Sequence, residues 1–304
     1  MRDVIVIGGS AGALEPLCEL LKALPPDLPA SVFVVIHIPE KNSALEEVLG
    51  RCGKARVAKA VNGQKVQRGK VYVAPGGSHL VLNDGQMQLN KGPRENRHRP
   101  SVDTLFRSAA RAHRERVIAV VLSGALDDGA AGAMAVKARG GIIIVQDPEE
   151  ATISDMPSNV VKHVGADYCL PIAEIGPMLT SLVNSNPRGP KKRLYKGNGP
   201  ARKAAPFVCP DCGGPLTESR IGDLGHFECQ VGHQYSPQAL SEAHANALER
   251  ALWVALRHLS ERRAIHQSLA GQSRNDPTMV QRYEENAEAA THDISLLREI
   301  LERL

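Results

Sequence analysis

Ser10, His37 and Asp128 are the three side-chain types of an activated hydroxyl nucleophile: a hydroxyl to attack, an imidazole to take its proton and a carboxylate to orient the imidazole. Ser10 lies in Gly8-Gly9-Ser10-Ala11-Gly12, His37 opens His37-Ile38-Pro39, and Asp128 lies in Gly124-Ala125-Leu126-Asp127-Asp128-Gly129. The pentapeptide GGSAG fits G-x-S-x-G, which on a strand-to-helix turn thrusts a serine hydroxyl out at the edge of a sheet. It does not fit a dinucleotide loop, because G-x-G-x-x-G starting at Gly8 needs a glycine where Ser10 stands. His37 also replaces the expected ribose-binding acid. Each residue alone has a bland role: His37 as a satisfied core histidine, Asp127 or Asp128 as a cap on the helix beginning near Ala130.

A second set of chemistry-bearing residues is Cys209-Pro-Asp-Cys212 followed by Cys229-Gln-Val-Gly-His233. Two such knuckle-like pairs supply the four soft or borderline ligands of a closed, structural zinc site, with no position left open for catalysis. His226 is the rival for the fourth position, but the glycine beside His233 favours a tight turn there. Cys18, Cys52 and Cys169 are scattered through apolar or helical stretches and read as free thiols acting as small hydrophobes.

Short apolar, β-branched runs alternate with helical segments from Asp3 to about Val183 and position the first set. DVIVI leads into a helix over 14–24, SVFVVIH into one over 43–52, and VIAVVLSG into one over 130–139; KVYVAP and GIIIVQ are further strands. Continuous apolar strands between helices imply an α/β fold with a doubly wound, mostly parallel sheet. One antiparallel hairpin, signalled by Asn83-Asp84-Gly85, is expected at an edge. In such a sheet, reactive groups gather at the carboxyl ends of strands, which is where Ser10, His37 and Asp128 fall. The catalytic domain is expected over residues 1–184, a basic Pro/Gly linker over 185–206, a zinc-ribbon-like module over 207–235 and an α-helical hairpin over 236–304. Ser236-Pro237 and Asp276-Pro277 each give a cap followed by proline at the first helical position. In the hairpin, Tyr283, Ala287, Ala290, Ile294, Leu297, Leu301 and Leu304 make a heptad seam, matched by Leu248, Leu252, Ala255 and Leu259. The bland reading pairs these two helices; the sharper one docks them on a partner helix or a second copy.

VIGGSAGALEPL, VVIHIP, VYVAPGGSHL, HRPSVDTLF, VVLSGALDDGAAG and Asp155-Met156-Pro157 together resemble the catalytic domain of the bacterial chemotaxis protein-glutamate methylesterases, the CheB type, over about Val4–Val183. The order Ser10, His37, Asp128 departs from the Ser, acid, His order of α/β-hydrolases. The resemblance implies Ser10 as nucleophile, His37 as general base and acid, and Asp128 as the orienting acid. It further implies a backbone oxyanion hole at Ala11 and Ala125 and no catalytic cofactor. Its substrate would be a receptor protein carrying glutamate methyl esters; some members also deamidate glutamine. The chain departs from the family pattern at Ala11 and Ala13, and the family's Gly-Met-Gly reads Gly124-Ala125-Leu126. The family usually carries an N-terminal phosphoreceiver domain over the active site. None precedes Asp3 here, so a stand-alone esterase is expected, regulated by its C-terminal module through partner recruitment or restricted access to Ser10. His98, Arg99 and Asp103 read as structural or substrate-adjacent, with Ser101 capping the helix that starts there.

The rest of the sequence narrows the classes. Of the 304 residues, 42% are hydrophobic, no apolar run is long enough for a membrane span, and no signal segment precedes the first strand, so a cytoplasmic protein without membrane insertion is expected. Residues 185–206 hold seven basic side chains and no acid, so the remainder carries a formal −3 against +4 for the whole. The surplus is local and does not make a nucleic-acid-binding fold. The rival to an enzyme is a non-enzymatic signalling scaffold that retains the methylesterase fold.

Overall fold

The computed structural model describes residues 2–37, 44–83, 85–184, 202–273 and 275–304. Most of the expected linker, residues 185–201, lies outside them, as do Ile38, Pro39, Ser43 and Asp84 of the hairpin turn. The elements run β1 (Val4–Gly9), α1 (Leu14–Ala23), β2 (Ser31–Ile36), α2 (Leu45–Cys52), β3 (Arg56–Lys59), β4 (Lys70–Val73), β5 (His79–Asn83), β6 (Gln86–Asn90) and α3 (Val102–His113). They continue with β7 (Val117–Val121), α4 (Ala130–Ala138), β8 (Ile142–Gln146), α5 (Asp155–His163), β9 (Tyr168–Leu170) and α6 (Ile172–Asn184). After the linker come β10 (Lys203–Val208), β11 (Pro215–Ile221), β12 (Leu224–Cys229), β13 (Gln234–Tyr235), α7 (Pro237–Gln272) and α8 (Pro277–Leu301).

Seven strands form one sheet in the order β3-β4-β2-β1-β7-β8-β9, and every pairing in it is parallel. Side chains alternate across the strands. Val4 and Val6 of β1 face a core made with α3, α4 and α5, while Ile5 and Ile7 face one made with α1, α2 and α6. The winding reverses at β1: β2 lies on one side and β7 on the other, the switch point at which such sheets open a crevice. The β5–β6 hairpin does not extend an edge of this sheet, as the sequence leads one to expect. It forms a two-stranded sheet of its own, with Leu80, Leu82 and Met87 buried in the same core as Phe106 of α3. The short strands β3 and β9, which end the sheet, carry too few apolar residues to announce themselves.

Cys18 of α1 and Cys52 of α2 are joined in a disulfide across a Cα separation of 5.1 Å, against their reading as free thiols. Two helices packed side by side on one face of the sheet bring together residues that are 34 positions apart, which spacing alone does not reveal. Cys169 is free and exposed.

The chain divides into two compact units, one ending at Leu240 and one spanning Ser241–Leu304. In the first, β10-β11-β12-β13 form an antiparallel sheet that starts at Lys203, inside the stretch expected as linker. In the second, Leu256, Ala270, Ala287, Ala290 and Ile294 are buried between α7 and α8, and the His266 and Tyr283 rings lie 6.0 Å apart. Leu248, expected in this seam, is exposed. Asp276 caps α8 by accepting from the N–H groups of Thr278 and Met279, with Pro277 following, as the sequence predicts.

Gly8 of β1 lies directly against Val102 at the start of α3. A Cβ there would collide with the fully buried Val102 side chain at the first position of α3. Gly8→Ala is expected to destabilise the fold by about 1–3 kcal/mol through overpacking. Adding Val102→Ala should recover part of that loss, which urea unfolding of the single and double variants would measure as non-additivity.

Candidate active site

Ser10 follows β1, His37 follows β2, and Asp128 lies in the loop after β7, so three neighbouring parallel strands deliver the three side chains to one edge. They meet as the sequence predicts. Ser10 Oγ is 3.1 Å from His37 Nδ1, and His37 Nε2 is 2.7 Å from Asp128 Oδ2. The Nε2 proton is donated to the carboxylate, which leaves Nδ1 to accept the Ser10 hydroxyl. The ring nitrogens thus exchange the places they hold in the chymotrypsin arrangement. The side chains of His37 and Asp128 are 4% and 2% exposed, so the pair works in a water-poor setting.

Asp128 does not cap its own helix. Its Oδ2 accepts from the N–H of Val102 at 2.7 Å, and its Oδ1 from the N–H of Asp103 at 3.1 Å and from Ser101 Oγ at 3.0 Å. The carboxylate therefore sits on the N-terminus of α3, where free N–H groups and the helix dipole favour negative charge. Ser101 is the N-cap of that helix, with its Oγ accepting from Thr104 N. Asp103 returns the favour: its Oδ1 accepts from the N–H groups of Gly129 and Gly132, at the start of α4. Asn96 Nδ2 donates to both acids, at 3.1 Å to Asp103 and 3.2 Å to Asp128. Burial pushes the Asp128 carboxyl up, but His37 and the Val102 N–H hold it well below the usual carboxylate range. Asp103 goes the other way, raised by burial and by the neighbouring Asp128 charge.

His98, read from the sequence as structural or substrate-adjacent, lies directly against His37. Its ring stacks on His37 with centroids 3.6 Å apart and planes 5° from parallel. Nothing in the spacing of HRPSVDTLF announces this stack, because it depends on the Asn96-Arg97 pair, whose φ angles of 47° and 69° turn the chain back toward β2. Asn96 is likewise invisible to motif reading.

Around Ser10 the backbone donors are nearly all used. Ser10 N–H bonds Ser123 O at 2.9 Å, Gly124 N–H bonds Ile153 O at 2.9 Å, and Leu126 N–H bonds Asp155 Oδ2 at 3.2 Å. The N–H groups of Ala11 and Ala125 make no hydrogen bond among the described residues, and both residues are exposed. Gly124 lets this loop approach: a Cβ there would lie 2.8 Å from Ser10 Cβ. Leu126 holds a φ of 64°, unusual for leucine, with its carbonyl accepting from Asn159 Nδ2 at 2.9 Å.

Cys209, Cys212, Cys229 and His233 converge, their ligand atoms all within 4.8 Å of one another. Cys212 Sγ is 3.7 Å from Cys229 Sγ, and His233 Nδ1 is 3.6 Å from Cys209 Sγ and 3.5 Å from Cys229 Sγ. A tetrahedral ion with zinc's bond lengths has edges of about 3.8 Å between sulfurs and about 3.6 Å between sulfur and nitrogen, so the donor set fits one. Although burial pushes the Cys229 thiol up, hydrogen bonds from His233 pull it down to about 7, toward the thiolate that a metal requires. His226 stands outside this cluster, bonded to Ser219 and Gln234.

The open, doubly wound α/β sheet thus carries a hydrogen-bonded Ser–His–Asp series at the ends of three adjacent strands, a geometry suited to attack through a serine hydroxyl. The chain belongs to the CheB methylesterase family, whose profile matches residues 5–179. It is 37% identical over 189 residues to a protein-glutamate methylesterase/protein-glutamine glutaminase 2 of Oleidesulfovibrio alaskensis, covering 60% of this chain and 53% of the relative. A protein of the same description from Xanthomonas campestris is 41% identical over 186 residues, covering 59% and 51%. The chain thus spans about half the length of the curated relatives it matches. The crystal structure of the Thermotoga maritima CheB methylesterase catalytic domain superposes with a TM-score of 0.58 at 35% identity, covering 60% of this chain and 99% of that one.

Burial, and after it the nearby His37 charge, pushes the His98 imidazole down to about 4 from an ordinary value of about 6.5. The unfolded chain therefore takes up this proton first. The stability that neutral His98 contributes is complete above about pH 6.5 and is lost as pH falls toward 4. His98→Phe keeps a flat ring on His37 without the titration. In urea unfolding, the wild-type minus variant free energy should fall between about pH 7 and about pH 4.5.

Proposed function

We propose that this chain is a serine hydrolase that removes methyl groups from glutamate γ-methyl esters of a chemotaxis-type receptor. The observation that carries the reading is the Ser10–His37–Asp128 hydrogen-bond series in a chain of the CheB methylesterase family. His37 Nδ1 takes the Ser10 proton as Oγ attacks the ester carbonyl, and Asp128 stabilises the imidazolium. The N–H groups of Ala11 and Ala125, which make no hydrogen bond among the described residues, are the donors for the tetrahedral oxyanion, each worth about 3 kcal/mol of barrier. Methanol leaves with the proton from His37, and water then hydrolyses the glutamyl-serine ester by the reverse sequence. The paired names of the relatives support glutamine deamidation by the same acyl-enzyme route.

The Cys209, Cys212, Cys229 and His233 set is read as a structural zinc site. With all four positions occupied by protein ligands it would hold the β10–β13 sheet and take no part in the hydrolysis. No described helix is long and apolar enough to cross a membrane, and the reading places the enzyme in the cytoplasm, on receptor segments exposed there.

Methanol release from a methylated receptor tests the activity. Ser10→Ala should lower the rate by about 10⁴-fold or more; a variant as fast as wild type would sink the assignment. Metal analysis of the purified protein should give one zinc per chain, and Cys212→Ser should lose most of it.

A further inference from the structure

The segment Gln234-Tyr235-Ser236, which leads from the metal-ligand cluster into α7, lies against the residues that hold Asp128. Ser236 N–H donates to Asn96 Oδ1 at 3.0 Å, and Ser236 Oγ donates to Asp127 Oδ1 at 2.6 Å. Asn96 N–H donates to Gln234 O at 2.8 Å, and Gln234 N–H to Arg94 O at 3.3 Å. The other end of the segment is tied to the cluster. His233 is one of its four ligand residues, and the fully buried Tyr235 donates to Asp211 Oδ2 at 2.8 Å with its hydroxyl 3.3 Å from Cys209 Sγ.

We propose that Ser236 and Asn96 are positioning residues for the triad, so that the C-terminal metal-binding module completes the support of Asp128. The chemistry lies in the amide of Asn96, which has one accepting and one donating end. Because Ser236 N–H occupies the oxygen, the NH₂ group is turned toward Asp103 and Asp128. Without Ser236 in place, the amide is free to rotate and present its oxygen to a carboxylate. The Ser236 N–H belongs to the backbone, so the side chain acts by placing it: Ser236 Oγ donates to Asp127 Oδ1, next to Asp128, and accepts from Ala239 N–H at 3.0 Å, and these two bonds hold the Ser236 backbone where its N–H meets Asn96. This segment lies outside the 5–179 match to the family.

The proposal rests on the reading of Asp128 as the acid of the triad, and its test separates the two. The rate constant for fluorophosphonate labelling of Ser10 is measured on the full chain, with the low-field proton resonance of the His37 Nε2–H···Asp128 bond as a second readout. Failure of the wild-type chain to label at Ser10 would overturn both readings. With wild type labelling, Ser236→Ala should slow the reaction about tenfold and shift the His37 resonance, with Ser236→Thr restoring both. Asn96→Ala should do the same, and the double variant should lose no more than the worse single one. Removing the metal with a chelator should slow labelling in wild type but hardly further in Ser236→Ala. An unchanged rate and resonance in Ser236→Ala, or losses that simply multiply in the double variant, would show Ser236 to be a helix cap alone and overturn the proposal.

Discussion

Two helix N-termini hold each other by exchanging carboxylates, and the rest of the site depends on that exchange. Asp128, from the loop that begins α4, accepts from the first N–H groups of α3; Asp103, from the first turn of α3, accepts from the first N–H groups of α4. Each acid satisfies donors that a helix leaves unpaired, so the two helices are fixed in angle and depth at their starts. The buried charge on Asp128 is tolerable because five donors converge on it. That charge in turn holds the His37 ring with Nδ1 toward Ser10.

The sheet supplies the other half of the alignment. Since β1 is flanked by β2 and β7, the residues following three parallel strands meet with little loop between them. The β5–β6 hairpin packs into the same core as α3 instead of extending the sheet, and the His98 ring covers one face of His37.

The parallel sheet, its central strands and the Ser10, His37 and Asp128 positions were legible because each rests on a local signal: an apolar run followed by a reactive residue at its end. The Cys209, Cys212, Cys229 and His233 set was legible from a different local signal, the close spacing of ligands within each pair. The contacts around Asp128 were not. Its role as a cap on α3 joins residues 25 and 26 positions apart, and the pull of Ser236 on Asn96 spans 140. Cys18 and Cys52 were misread because a lone cysteine on a helix looks the same whether or not its partner lies on the next helix.

The division of labour within the series has an evolutionary consequence. Ser10 Oγ bonds only His37 among the described residues, whereas Asp128 closes the first turn of α3. On the proposed reading, a descendant that abandoned the hydrolysis could discard the hydroxyl at little cost to folding, yet would remain under pressure to keep the acid. Persistence of the aspartate in a relative therefore reports on architecture, and only the serine and histidine report on whether the protein still reacts.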